Sequence, residues 1–170
     1  SIQIMRLPRY VQIIHLSSFP QLSESIITAL QRCEHLVDLT LDALRVFHPS
    51  FLCDLQSVKN HTMRRLSIRE SSITQEDFNK IFETLFYTHL KHEGLQDIIL
   101  ACSRNIKKLP PFNQPFSHDL MLERISLRAL EIGDDDLRLI ATLFPNLKAL
   151  NISGCKNITN FTPLAKLLHL

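Results

Sequence analysis

The stretch Leu147-Lys148-Ala149-Leu150-Asn151-Ile152-Ser153-Gly154-Cys155-Lys156-Asn157-Ile158-Thr159 decides how this chain folds. Its first half alternates, which suits a strand whose Leu150 and Ile152 point inward while Ala149, Asn151 and Ser153 point out. Beyond a bend at Cys155 the spacing changes. Ile158, Phe161, Leu164 and Leu167 recur every three residues, as expected of a short helix or tight helical turns packed behind a sheet. A unit of one strand and one return cannot bury its apolar face alone, so it requires neighbours of the same kind.

Those neighbours lie upstream. The same apolar skeleton, L-x-x-L-x-L, begins at Val11, Leu36, Met63, Leu95, Leu122 and Leu147, at intervals of 25, 27, 32, 27 and 25 residues. Self-similarity of that period is the signature of a solenoid of stacked strand-and-helix units. Residues 1–170 therefore read as a single domain of about six repeats, each a strand with a return packed behind it. The chain stops at Leu167-Leu168-His169-Leu170, where a seventh motif would start. A fragment of a longer array is expected, its ends packing against missing repeats or another domain.

Individual repeats depart from the pattern. Repeat five places Gly133-Asp134-Asp135-Asp136 ahead of Leu137, Ile140, Leu143 and Phe144, which reads as a helix N-cap and acidic first turn. Repeat three is long, with a helical pattern at Phe78, Ile81, Phe82, Leu85, Phe86 and Leu90 and surplus residues around Thr88 to Gly94. Repeat four has Leu109-Pro110-Pro111-Phe112-Asn113-Gln114-Pro115-Phe116 where a helix should stand, and its prolines lack the amides a helix interior needs. An extended back segment is expected there, with Phe112 and Phe116 filling the space of a helix or forming a docking loop.

At this point the residues resemble a known family. Phe144 to Thr159, with Cys155 at the bend, is similar to the cysteine-containing leucine-rich repeat, a ribonuclease-inhibitor-like type found in F-box proteins and related intracellular solenoids. Repeats three and five resemble it moderately. Elsewhere the motif degenerates, with Phe19, Leu44 and Ser71 standing where Asn or Cys is expected. The resemblance implies an α/β leucine-rich-repeat solenoid, with a curved parallel sheet on the concave side and helices or irregular segments on the convex side, and it implies protein binding and no reaction. It makes an adaptor or scaffold the leading expectation and the substrate-recognition part of an F-box ubiquitin ligase subunit an alternative.

The register specifies the concave face residue by residue. Position 3 of the repeats carries Ile13, Asp38, Arg65, Asp97, Arg124 and Ala149; position 7 carries Ser17, Asp42, Arg69, Ala101, Arg128 and Ser153. In-register strands about 4.8 Å apart would align Asp38, Arg65, Asp97 and Arg124 as an alternating ladder. Such exposed pairs contribute little to stability and could simply neutralise one another. Alternatively, Asp38, Asp42, Arg65, Arg69, Asp97, Arg124 and Arg128 form a recognition surface for a charged peptide or domain, with the arginines as bidentate donors. The row between, His15, Thr40, Ser67, Ile99, Ser126 and Asn151, is small and mostly neutral, so a ligand could approach closely.

Other chemistry is weakly signalled. No pair among the eight histidines has metalloprotease spacing, Cys33 and His35 form only a lone pair of potential ligands, and Gly94, Gly133 and Gly154 are isolated, so no phosphate loop can be built. No catalytic residue, metal or cofactor is expected. A formal charge of +2 does not favour nucleic acid, and the apolar runs are too short to span a membrane. Cys33, Cys53, Cys102 and Cys155 are expected to be reduced, since Cys102 and Cys155 lie two strands apart, about 9 to 10 Å, beyond the reach of a disulfide. Four Asn-x-Ser/Thr sequences begin at Asn60, Asn151, Asn157 and Asn160 and keep a glycosylated extracellular module in view. Their crowding, and the lack of cysteine-rich caps, favour an intracellular setting in cytoplasm or nucleus.

Overall fold

The computed structural model describes residues 9–18, 24–43, 62–84, 95–101, 105–111 and 122–170. Each L-x-x-L-x-L motif forms a strand: β1 (Ile13–Ser17), β2 (Asp38–Asp42), β3 (Arg65–Arg69), β4 (Asp97–Ala101), β5 (Arg124–Ser126) and β6 (Ala149–Asn151). They form one parallel sheet in chain order. Sequential order with a crossover between every pair is what a solenoid requires and what a doubly wound sheet lacks.

Backbone bonds repeat as regularly as the side chains. The second carbonyl of each motif accepts two amides from the next repeat: Gln12 takes Val37 and Asp38 at 2.7 and 2.9 Å, and Val37, Arg64, Gln96 and Glu123 each do the same for the repeat that follows. At the other end of the strand, the amides of Ser18, Ala43, Glu70 and Ala129 donate to the carbonyls of Asp42, Arg69, Ala101 and Ser153 at 2.8 to 3.0 Å. These four residues have φ between 53° and 60°, and Gly154, their equivalent in repeat six, has φ 78°. A left-handed residue with a side chain costs about 1–2 kcal/mol. It is retained because this turn swings the chain off the sheet while keeping the inter-repeat bond.

The inward positions build the core. Leu39, Leu41, Leu66, Ile68, Ile98, Leu100, Ile125 and Leu127 are buried, and so are the residues that open the motifs, Leu36, Met63, Leu95, Leu122 and Leu147. Behind them stand α1 (Glu24–Gln31), α2 (Gln75–Thr84), α3 (Asp134–Leu143) and a 3₁₀ turn (Thr162–Lys166). Helix α2 starts at a capping box in which the Asp77 amide donates to Thr74 Oγ1 at 3.1 Å and the Thr74 amide to Asp77 Oδ2 at 3.0 Å. It presses Phe78, Ile81 and Phe82 into the core, the two rings 4.8 Å apart. Leu85, Phe86 and Leu90 lie outside the described residues, as do Phe112 and Phe116. In repeat six the three-residue period becomes the 3₁₀ turn, but only Ile158 and Leu167 are buried; Phe161 is 55% exposed.

The described part of the proline segment, up to Pro111, has no helix. Its backbone is held by side chains of the flanking repeats. Gln75 Oε1 accepts the amides of Lys107 and Lys108 at 2.9 and 3.3 Å, while Gln75 Nε2 donates to the Lys108 carbonyl at 2.9 Å. From the other side Asp136 Oδ1 accepts the Leu109 amide at 2.7 Å.

The acidic run forms the cap and first turn of α3 as expected, and its carboxylates also reach neighbouring repeats. Asp136 Oδ2 does accept the Gly133 amide at 2.9 Å, but Asp134 serves the next repeat, accepting the amides of Thr159 and Asn160 at 2.7 and 2.9 Å. Those backbone bonds hold the Asp134 carboxyl below the ordinary aspartate range.

Candidate functional site

The strands bring the expected residues together in the expected rows. Ile13, Asp38, Arg65, Asp97, Arg124 and Ala149 are successive partners across the sheet, as are His15, Thr40, Ser67, Ile99, Ser126 and Asn151. The third row is paired only from Ser17 through Asp42 and Arg69 to Ala101. Arg128 and Ser153 fall beyond the ends of β5 and β6, because in repeats five and six the chain turns early. The Leu130 amide bonds back to the Leu127 carbonyl, and the Cys155 amide to that of Ile152. Arg128 is thus an exposed turn residue at the rim of the sheet.

The charge ladder resolves into separate pairs rather than a continuous chain. Arg124 Nε donates to Asp97 Oδ1 at 2.6 Å, whereas Arg65 Nη1 is a loose 3.8 Å from Asp38 Oδ2. Arg69 Nε is 3.3 Å from Asp42 Oδ1 but donates instead to Ser67 Oγ at 3.1 Å. Asp42 Oδ1 and Arg65 Nε are buried without a hydrogen-bond partner. His15 Nε2 lies 3.2 Å from Asp42 Oδ2.

Depth separates the two signs of charge. Arg65, Arg69 and Arg124 have side chains 42, 43 and 59% exposed, against 23, 24 and 14% for their partners Asp38, Asp42 and Asp97. The carboxylates lie low and the guanidiniums stand over them, so an approaching molecule meets positive charge first. The partnership with Asp97 holds the Arg124 guanidinium above its usual pKa, chiefly through the hydrogen bond.

The middle row does not admit a ligand along its whole length. Thr40 and Ser67 are buried; Thr40 Oγ1 donates to Asp38 Oδ1, and Ser67 is covered by its bond from Arg69. Ile99, Ser126 and Asn151 remain accessible. Above them opens a groove of about 440 Å³, lined at its sides by Arg65, Asp97, Arg124 and Ala149. Next to it Lys148 Nζ donates to Glu123 Oε1 at 2.7 Å, a bond that lowers the Glu123 pKa. A second hollow, about 710 Å³, lies at the bends of repeats five and six around Ala129, Glu131, Gly154 and Asn157. There the Asn157 amide is already committed to the Glu131 carbonyl at 2.8 Å.

Among the described residues, no group of three His, Cys, Asp or Glu side chains that could hold a metal ion converges. Cys33 and Cys155 are buried thiols. Cys33 Sγ donates to the Ala29 carbonyl at 3.4 Å and Cys155 Sγ to the Leu127 carbonyl at 3.1 Å, and burial raises the pKa of both. Cys53 and Cys102 lie outside the described residues, as does Asn60. Asn151 lies in β6. No helix among the described residues is long and apolar enough to cross a membrane.

A six-stranded parallel sheet in chain order, each strand from an L-x-x-L-x-L motif, with helical or extended returns among the described residues, defines a leucine-rich-repeat solenoid. The fold is similar to that of the tropomodulin C-terminal domain of Caenorhabditis elegans, with a TM-score of 0.57 over 85% of this chain and 87% of that one, at 9% sequence identity. An internalin from Listeria monocytogenes is also matched, over 84% of this chain and 48% of that one, at 18% identity and a TM-score of 0.37. No family model and no curated protein matches the sequence. The likeness is one of architecture.

Proposed function

We propose that this solenoid is a non-catalytic protein-interaction module, an intracellular adaptor or scaffold, and that it binds its partner on the concave face. Leucine-rich-repeat folds are typically protein-binding modules, which supports the general reading. The observation that carries the specific one is the layering of charge, with Arg65, Arg69 and Arg124 exposed above shielded Asp38, Asp42 and Asp97 beside an open groove. Exposed arginine is also the charged residue most often found at the centre of protein interfaces. Arg128 belongs to this surface as a rim contact.

The substrate-receptor alternative rests on Cys155, which occupies the bend and bonds across to the preceding repeat through Leu127, in keeping with the cysteine-containing repeat type. Co-purification of the full-length protein with a cullin ligase adaptor would support it; absence of the adaptor would remove it. The glycosylated alternative is less favoured, because Asn157 spends its amide on Glu131 and Asn151 stands within a strand. A mobility shift on deglycosylation would revive it.

The main reading is tested by capture of partners from cell extract with the wild type and with Arg65, Arg69 and Arg124 all changed to Glu. Loss of specific partners at unchanged melting temperature is expected. An identical partner set would remove the concave face as the binding site.

A further inference from the structure

Arg65 and Arg124 stand in one row of the groove lining, on strands separated by β4 and with Asp97 between them, and neither guanidinium is fully used. Arg124 spends only Nε on Asp97, and among the described residues its two Nη groups make no hydrogen bond. Arg65 touches Asp38 only at 3.8 Å, beyond hydrogen-bond range, and its Nε is buried without a partner. A buried N–H without an acceptor is costly, and charged donors gain most from an anionic acceptor. Two strand spacings, about 9.6 Å, separate the two backbones. Side chains as long as arginine can close over one carboxylate from both sides across that span.

The rest of the lining limits what else can enter. Ile99, half-buried on β4, and Ala149, on β6, offer apolar surface beside the two cations, while Ser126 and Asn151 can bond a peptide backbone. Asp97, fixed 2.6 Å from Arg124, and Asp38 already offset part of the positive charge. The adjacent Glu123 and Lys148 neutralise each other. The site therefore favours a single negative charge over a phosphate dianion, which would meet the fixed carboxylate of Asp97.

Resting on the concave-face reading above, we propose that the groove over β3 to β6 binds an acidic, extended segment of a partner protein. One Asp or Glu carboxylate lies between the guanidiniums of Arg65 and Arg124, and a neighbouring aliphatic side chain rests on Ile99. The exposed end of the Arg65 guanidinium gains an acceptor in the complex. Asp97 acts as a competitor that keeps Arg124 in place and limits affinity.

The test is a fluorescence-anisotropy titration with a short fluorescein-labelled peptide of alternating Glu and Leu. Two companions carry Gln or phosphoserine in place of Glu. Wild-type protein should bind the Glu peptide about tenfold or more tighter than the Gln peptide, as expected for loss of a charge-assisted bidentate bond. R65Q and R124Q should each weaken the Glu peptide by about tenfold, and I99E should do the same without touching either arginine. D97N should tighten it by about threefold, an effect that a purely structural role for Asp97 would not produce. No binding of the Glu peptide, weaker binding to D97N, or tighter binding of the phosphoserine peptide would each overturn the assignment. Equal binding of Glu and Gln peptides, with the loss on I99E retained, would overturn the carboxylate but leave the concave face as the site. If I99E, R65Q and R124Q all bind as the wild type does, the inference and the concave-face reading fall together. Melting curves of each variant confirm that it is folded.

Discussion

The concave and convex sides of this solenoid are held by different kinds of interaction. On the concave side the backbone repeats itself: the second carbonyl of each of the first five motifs takes two amides from the next repeat, and apolar residues at fixed offsets fill the layer beneath. On the convex side almost nothing repeats. Thr74 and Asp77 cap one helix, Gln75 and Asp136 hold the proline segment, Asp134 reaches the next repeat, and Asn157 reaches the preceding one. Periodic apolar spacing specifies the first side. Single polar side chains specify the second, so residues 105–111 of repeat four run without a helix while the sheet continues.

This contrast sets an order of effects. Leu66→Ala, at a fully buried strand position, should cost about 2–5 kcal/mol by denaturant unfolding, because a cavity opens in a layer shared with both neighbouring repeats. Asp136→Ala leaves the Leu109 and Gly133 amides without acceptors and should cost about 1–3 kcal/mol. Hydrogen exchange should rise at residues 106–111 and at the start of α3, while the sheet stays protected. Thr74→Ala, which breaks the α2 capping box, should cost about 1 kcal/mol in the same assay.

Asp134 supplies the smallest effect and a pH dependence of definite sign. Its pKa is lowered in the folded protein, so its contribution is present above the unfolded value of about 4 and fades as pH falls through the lower folded value. Asp134→Asn should therefore melt below the wild type at neutral pH and converge with it in acid. A gap that persists unchanged in acid would mean that the carboxylate charge is not what holds Thr159 and Asn160.

The comparison also explains what could be read from the residues in advance. Strand positions, register and the adjacency of Asp38, Arg65, Asp97 and Arg124 follow from the L-x-x-L-x-L spacing, since parallel pairing in register leaves no freedom in which residue meets which. Which neighbours bond was not legible. Arg124 chooses Asp97 closely while Arg65 stays loose, and Thr40 and Ser67 are closed over, because side-chain depth on a curved sheet depends on rotamers rather than period. The early turn that takes Arg128 off the sheet had no signal in its apolar pattern, which continues through Leu127. Nor did Ser18, Ala43, Glu70 and Ala129 announce a left-handed bend, for which glycine is the usual sign. Gln75 and Asp136 were equally silent, since their acceptors and donors are backbone groups of other repeats.

Whether binding belongs to the regular face and stitching to the irregular one is decided by hydrogen-exchange footprinting of the protein with and without its captured partner. Protection is expected over residues 65–69, 97–101 and 124–128, with α2 and α3 unchanged. Protection over α2 and α3, with those strands unaffected, would contradict binding on the regular face.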